Sequence, residues 1–284
     1  MTERTQQQRQ QQRQQQPPPQ AGELLREWRQ RRRLSQLDLA IAANVSSRHL
    51  SFVETGRARP TSEMILRLAE HLDVPLRDRN VLLLAGGYAP AYHERGLADP
   101  ELRSVRAALR RILAGHQPYP AAVVNRWWEL VDANDGIAVF TADVAASLLE
   151  SPVNVLRLSL HPDGMAPRIV NLPEWRAHLL ARLYRQAEAT GDPRLFRLYG
   201  ELEAYPGGPD LGGPDPGRPG HQPRAADVVV PLLYRTGHGV LSFISMTAVV
   251  GTPMDITVEE LAIESFYPAD EATAAALAGK RPDG

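Results

Sequence analysis

Apolar residues across positions 22–86 recur at the spacing of one helix face, and no strand-like alternation interrupts them. Ser35, Ser46 and Thr61 stand just ahead of three of these apolar stretches. Their hydroxyls can accept hydrogen bonds from the unpaired N–H groups of a first helical turn. Pro75 precedes the last stretch, which ends at glycines. The pattern therefore predicts five short helices.

Beyond a linker near residues 88–100, further helical stretches occur. Helices are predicted over 102–113, from Asn171 onward, and after Asp192, where Pro193 can occupy the first turn without losing a hydrogen bond. Thr257 with Glu260 three positions later predicts a capping box for one more helix.

Strand-like stretches are interspersed among these helices. A strand is predicted over 121–131, and an antiparallel hairpin over 228–234 and 240–250 around the turn at 236–239. Ahead of the hairpin, eleven of the fifteen residues at 206–220 are Pro or Gly, which predicts a flexible surface loop. Helices mixed with antiparallel strands, without a βαβ rhythm, predict an α+β domain.

The first helical segment contains a helix-turn-helix pattern. Two helices that approach closely need a small residue, a tight break and apolar anchors that fix the angle of the second helix. Ala40, Asn44 and the set Val45, Leu50 and Val53 meet these needs in order. With the anchors turned inward, the face that can enter a major groove carries Ser47, Arg48, Ser51 and Phe52.

Over about residues 24–78 this pattern resembles the Cro/C1-type, or XRE, helix-turn-helix family. The resemblance implies double-stranded DNA as partner, with base contacts from Ser47, Arg48 and Phe52 and a phosphate contact from Gln36. Phe52 departs from the usual polar residue, so we expect contact with a thymine methyl or packing against a partner.

Further phosphate contacts are expected from Ser46, Arg57 and Arg59. Each basic candidate, Arg48 included, has a plainer interpretation as a solvated surface charge. Ser46 is a helix cap first and a phosphate contact second.

The resemblance also implies an ion pair between Arg29 and Glu54. Glu54 follows Val53 on the inner side of the helix, where a carboxylate without a partner would be costly. The alternative interpretation is two solvated surface charges.

The rest of the chain contains several motifs that resemble the MmyB-like transcription regulators. They are NVLLLAGGYAP at 80–90, PYPA at 118–121, LSLHPDG at 158–164, GTPMDIT at 251–257 and ELAIESFYPAD at 260–270. Together with the first domain, the match spans about residues 22–272. The resemblance implies a PAS-like sensory domain that binds a fatty-acid-like ligand.

The expected architecture is an all-α five-helix helix-turn-helix domain followed by an α+β PAS-like ligand-binding domain. The predicted division is a disordered Gln/Arg/Pro-rich tail (1–21), the DNA-binding domain (22–90), a linker (91–103), the ligand-binding domain (104–272) and a C-terminal tail (273–284).

Candidate pocket residues in the second domain are chosen by residue type. Trp127, Trp128 and Phe243 are candidate wall residues, although each is most simply interpreted as an ordinary core residue. His161 and Arg168 are candidate anchors for a carboxylate head group, and His161 beside a proline is just as readily a turn residue.

Composition narrows the class of protein. Cysteine is absent, which excludes disulfides and thiol nucleophiles, and the eight His residues form no short metal-binding spacing. No GxSxG elbow or phosphate-cradling glycine loop occurs. We therefore expect no metal, no cofactor other than the fatty-acid-like ligand, and no enzymatic activity.

Charge and apolar runs bear on partners and location. Residues 22–95 hold twelve Arg against nine acidic residues, whereas residues 96–284 hold seventeen basic and twenty-three acidic residues. A modestly basic head fits nucleic acid. No signal-peptide-like segment and no apolar run of about 18 residues occurs, so we expect a cytoplasmic protein without membrane contact.

These observations predict a sequence-specific DNA-binding transcription regulator, homodimeric, under the control of a small apolar ligand. Two alternatives remain. The second domain could serve only in dimerisation or protein interaction, or it could be an uncharacterised enzyme whose catalytic residues are distant in sequence.

Overall fold

The computed structural model describes residues 20–206, 229–237 and 239–279. The chain forms two compact units, Met1–His93 and Glu94–Gly284. Several sequence predictions lie outside the described residues: the tail up to residue 19, the loop positions 207–220, Val228 at the start of the hairpin, His238 in its turn, and residues 280–284.

In the described part of the first unit, five helices form in agreement with the apolar spacing. They span Ala21–Arg31 (α1), Gln36–Ala42 (α2), Ser47–Glu54 (α3), Ser62–His71 (α4) and Leu76–Ala85 (α5). The predicted caps are confirmed: Ser35 accepts a hydrogen bond from the backbone of Asp38, Ser46 from His49, and Thr61 from Met64. The fully buried residues at the centre of this unit include Leu25, Leu39, Ile65, Leu68 and Leu72.

Two backbone features fix the geometry of the helix-turn-helix. Asn44, in the turn between α2 and α3, has φ of 52°, a left-handed conformation that Asn tolerates better than most residues. Gly22 allows α1 to approach α3, because a Cβ at this position would collide with the carbonyl oxygen of Val53. Leu50 and Val53 are buried beneath α3, so its opposite face is turned outward.

The described part of the second unit is built on one antiparallel sheet. Its strands are Ala121–Val124 (β1), Leu130–Ala133 (β2), Leu232–Thr236 (β3), Gly239–Val249 (β4) and Ala262–Pro268 (β5), in the order β2-β1-β5-β4-β3. The helices are Arg103–Gly115 (α6), Ala138–Thr141 (α7), Val155–Leu160 (α8), Leu172–Thr190 (α9), Pro193–Glu203 (α10), Ile256–Glu259 (α11) and Glu271–Leu277 (α12).

Helices cover both faces of this sheet. On one face, Leu109 and Leu113 of α6 pack against Val123 of β1 and Ile263 of β5. On the other face, α8, α9 and α10 form the larger core together with β3 and β4. Phe140 of α7 lies in this core and makes edge-to-face contacts with Tyr234, Phe243 and Phe266.

The single strand predicted over 121–131 is wrong, because the chain turns between β1 and β2. The side-chain oxygen of Asn125 accepts hydrogen bonds from the backbone N–H groups of Trp127 and Glu129, at 2.9 and 3.0 Å. Trp128 takes a left-handed conformation with φ of 65°. Val- and Trp-rich composition indicates strand, but it does not reveal a turn held by one Asn side chain.

Two predictions near the C-terminus also differ from the structure. The late helix is capped by Asp255, which accepts from the N–H of Thr257, while the Thr257 hydroxyl donates to the carbonyl of Arg95. Residues 273–277 belong to α12 rather than to a tail. Thr273 is buried, and its hydroxyl accepts a hydrogen bond from the N–H of Ser242. The partner residues are distant in sequence, so local patterns do not show them.

Candidate nucleic-acid interface and ligand cavity

The outward face of α3 carries the residues expected to read bases. Ser47 and Arg48 are exposed, and Ser51 and Phe52 are partly exposed. The Arg48 guanidinium lies 5.5 Å from the centre of the Phe52 ring, so the two side chains share one surface of the helix. Aromatic stacking restricts a guanidinium but leaves its N–H groups able to donate to a base edge.

The residues expected to contact phosphates differ in whether their side chains already make hydrogen bonds within the protein. Arg57 is exposed, and Ser46 caps α3 through a 3.1 Å bond from the N–H of His49. Gln36 donates to a carboxylate oxygen of Glu54 at 2.8 Å. Arg59 donates from Nε and Nη2 to the carbonyl of Gly86 at 3.2 and 2.8 Å. Arg59 therefore closes the C-terminal end of α5.

The structure brings together Arg29 and Glu54, as expected. Nε and Nη2 of Arg29 donate to the two carboxylate oxygens at 2.7 and 2.8 Å, and Nη1 donates to the carbonyl of Leu34 at 2.8 Å. Both residues are buried, with 9% and 2% of their surface exposed. Burial alone would raise the pKa of Glu54, but hydrogen bonds from Arg29 and Gln36 outweigh it and hold that pKa below its ordinary value.

The second unit contains a partly open cavity of about 230 Å³ between the inner face of the sheet and the helices. Its wall is mostly apolar and comes from residues of nearly every element on that side of the sheet. These include Ala122, Val124, Trp128, Phe140, Leu156, Met165, Trp175, Leu179, Leu232 and Phe266. Apolar walls with few polar groups are typical of sites for small apolar molecules.

One part of the cavity wall is charged. Arg182 of α9 donates to both carboxylate oxygens of Glu264 on β5, at 2.7 and 3.2 Å. Thr247, which lies opposite Glu264 in the register of β4 and β5, accepts from Arg182 at 2.6 Å and donates to Glu264 at 2.9 Å. The Arg182 guanidinium also lies 4.5 Å from the centre of the Trp128 ring.

Among the five pocket candidates chosen by sequence, Trp128 lines the cavity. The indole of Trp127 instead donates to Asp192, and Phe243 is buried in the core without being part of the cavity wall. The two candidate anchors also lie outside the wall: Arg168 pairs with Asp143, and His161 makes an edge-to-face contact with Tyr205.

Sequence reasoning missed Arg182 and Glu264. One signal was present, because Trp175, Leu179 and Arg182 follow one another at helical spacing on the same face of α9. A cation on an otherwise apolar helix face indicates a buried partner or a ligand. Glu264 occupies the equivalent place on β5, where it shares the inner face of the sheet with Ala262 and Phe266.

No metal centre or membrane span was found in the parts of the chain that the structure describes. No group of three or more His, Asp or Glu side chains there could hold a metal ion. No helix among those residues combines the length and the apolar character needed to cross a bilayer.

Comparisons with known proteins also divide the chain into a helix-turn-helix region and a ligand-binding region. Residues 105–279 match the model of the MmyB-like transcription regulator ligand binding domain, and residues 20–82 match that of a helix-turn-helix domain. No curated protein matches the chain. The crystal structure of the clp gene regulator ClgR from Corynebacterium glutamicum is similar at 24% identity, with a TM-score of 0.22, and the match covers 36% of this chain and 99% of that chain.

The ligand-binding-domain match by itself covers more than half of the 284 residues, and the helix-turn-helix match precedes it in the order that the sequence motifs predicted. The outward face of α3 and the apolar cavity lie within these two matched regions. The chain therefore belongs to the MmyB-like transcription regulators, with a helix-turn-helix DNA-binding domain ahead of the ligand-binding domain.

Proposed function

We propose that this DNA-binding transcription regulator changes its operator affinity when a small apolar ligand, fatty-acid-like in its chain, occupies the cavity of the second unit. The observation that carries the proposal is the apolar cavity of about 230 Å³ inside the region matched to a ligand-binding domain. The antiparallel sheet covered by helices also supports a PAS-like arrangement for this unit.

The cavity favours this function over the alternative of an interaction module, which needs no internal space. The second unit matches the ligand-binding domain of a transcription-regulator family, which favours binding over catalysis as its role. Native mass spectrometry of the purified protein, before and after denaturation, tests the ligand directly. A co-purifying apolar molecule supports the proposal. A tightly packed dimer without a bound small molecule supports the interaction module.

For DNA reading, we propose that Ser47, Arg48, Ser51 and Phe52 face the bases. Arg48→Ala is expected to reduce the discrimination between operator and unrelated DNA by about 1 to 3 kcal/mol, the contribution of a good base contact. Binding titrations with both DNAs measure this ratio. An unchanged ratio would show that the recognition helix is wrongly placed.

Arg57 provides the matched comparison, since it is exposed beyond the end of α3. Arg57→Ala is expected to weaken binding to all sequences alike and to lower the salt dependence by about one unit of slope, as the loss of one phosphate contact does. Arg59→Ala removes the bonds to Gly86 as well, so its effect on stability must be measured beside its effect on the salt slope.

We also propose that the protein binds DNA as a homodimer, with the contact supplied by the second unit. One recognition helix covers a short stretch of DNA, and a symmetric dimer places two such helices on half-sites about one helical turn apart. Footprinting and analytical ultracentrifugation at the same protein concentration test this. Protection of a single half-site by a monomer would contradict it.

A further inference from the structure

We propose that the cavity selects a ligand with a neutral, hydrogen-bonding head group, such as an alcohol, ester or amide, and discriminates against a carboxylate. This inference rests on the proposed ligand-binding function and specifies the chemical class of the ligand. It follows from the charge balance of the described part of the cavity wall, the way Arg182 is held, and the volume of the cavity.

The ionisable residues among the described part of the cavity wall are Arg182 and Glu264, and they neutralise each other. Their contact uses two guanidinium nitrogens and both carboxylate oxygens, the paired geometry that gives strong charge-assisted hydrogen bonds. Thr247 bonds to both partners and closes the group. The wall therefore has no net formal charge to offer an anion.

Arg182 is also held on its flat side. Its guanidinium stacks over Trp128 at 4.5 Å from the ring centre, and the indole N–H of Trp128 donates to Gln186 at 2.8 Å. Gln186 is in turn bonded to the carbonyl of Arg126 at 2.9 Å. Turning Arg182 toward a new anion would break its bonds to Glu264 and Thr247 and its stacking on Trp128.

A carboxylate head group placed against Arg182 and Glu264 would meet an unfavourable environment in either of two positions. Beside the intact pair, it would add a negative charge near Glu264, whose side chain is 9% exposed. In place of Glu264 on Arg182, it would leave that buried carboxylate without its cation, a strongly destabilising change.

A neutral head avoids both costs. Thr141, Ser159 and Ser245 are among the residues that line the same cavity, and a hydroxyl can serve as donor or acceptor for an alcohol, ester or amide. The Ser159 oxygen already accepts from the indole N–H of Trp175 at 3.0 Å, which fixes its position in the wall.

The volume of the cavity limits the size of the ligand. About 230 Å³ lies a little below the range of about 300 to 1,000 Å³ that is usual for small-molecule sites. A medium-length chain with a small head fits this space. Octanol and octanoate are therefore suitable probes, because they share a chain and differ in the charge of the head.

The test measures the affinity of the full-length protein for octanol and for octanoate at neutral pH, by calorimetry and by the intrinsic tryptophan fluorescence, to which Trp128 and Trp175 of the cavity wall contribute. We expect octanol to bind at least about tenfold more tightly, a difference of about 1.4 kcal/mol. In Glu264→Gln, Arg182 loses its counter-charge, so octanoate should bind more tightly than in wild type and the preference should decrease or reverse. Glu188→Gln, the same change at an exposed position of α9, is the control and should leave the preference unchanged.

The outcomes separate this inference from the function on which it rests. If both probes bind and octanoate binds as tightly as octanol to wild type, the head-group preference is overturned and the ligand site stands. If neither probe binds, both the preference and the proposed ligand function are overturned. The wild-type comparison requires no variant, so it decides the matter even if Glu264→Gln does not fold.

Discussion

Replacing Arg29 or Glu54 by alanine is expected to destabilise the helix-turn-helix unit by about 3 to 5 kcal/mol, the cost of leaving one member of a buried ion pair alone. All three guanidinium nitrogens of Arg29 are bonded, and both carboxylate oxygens of Glu54 accept from Arg29. Either deletion therefore leaves a buried charge without its partner. Native-state amide hydrogen exchange of α1 to α5 in the full chain measures the change.

Two control variants show whether the effect comes from the pair. Glu27→Ala removes an exposed charged residue from the same helix and should stay within about 0.5 kcal/mol of wild type, as surface substitutions usually do. The double variant Arg29→Met with Glu54→Leu should cost less than either alanine variant, because no charge is left buried alone. Near-wild-type stability of both alanine variants would contradict the prediction.

The pair also gives the unit a defined pH dependence. The pKa of Glu54 is lower in the folded chain than its ordinary value, so its stabilisation is present above the unfolded-state pKa of about 4.3. It is lost as the pH falls through the lower, folded-state pKa, where the carboxylate takes up a proton. Glu54→Gln should weaken the dependence of stability on pH in this acid range.

Filling the cavity with a saturating apolar ligand is expected to change operator affinity by about 5-fold to 150-fold, the usual range of coupling between two sites. The ligand can produce this change only if it binds the two states of the regulator with different affinity. An operator titration with and without octanol or octanoate, whichever binds, measures the coupling. Unchanged affinity would remove the sensor function and leave the DNA-binding assignment intact.

Ala122→Phe is the matched variant for this experiment. Ala122 is a small residue of β1 on the cavity wall, so a phenyl ring there would occupy the space of the ligand. Overpacking could cost about 1 to 3 kcal/mol, and a thermal melt must show that the variant folds. It should bind operator and lose the response to ligand. An undiminished response would place the ligand elsewhere.

Short-range sequence patterns were sufficient to predict the helices and caps of the helix-turn-helix unit. The caps at Ser35, Ser46 and Thr61 formed as predicted, because a cap depends on residues within one turn of a helix. The Arg29 and Glu54 pair spans 25 positions, and it could be predicted because the family resemblance and the burial of Glu54 both pointed to it.

Short-range sequence patterns did not identify which residues line the ligand cavity. Trp127 and Trp128 are adjacent and chemically alike, yet one lines the cavity and the other bonds to Asp192. The turn at Asn125 decides which indole faces inward, and the predicted continuous strand did not contain that turn.

The sequence by itself determined the family, the five helices of the DNA-binding unit and the α+β character of the second, because apolar spacing, caps and motifs are properties of short stretches of chain. Only the tertiary structure decided that Arg182 and Glu264 meet, that Thr247 joins them, and that space remains beside them. These features depend on how a helix and two strands far apart in the chain pack against one another. The head group that the cavity accepts follows from that packing.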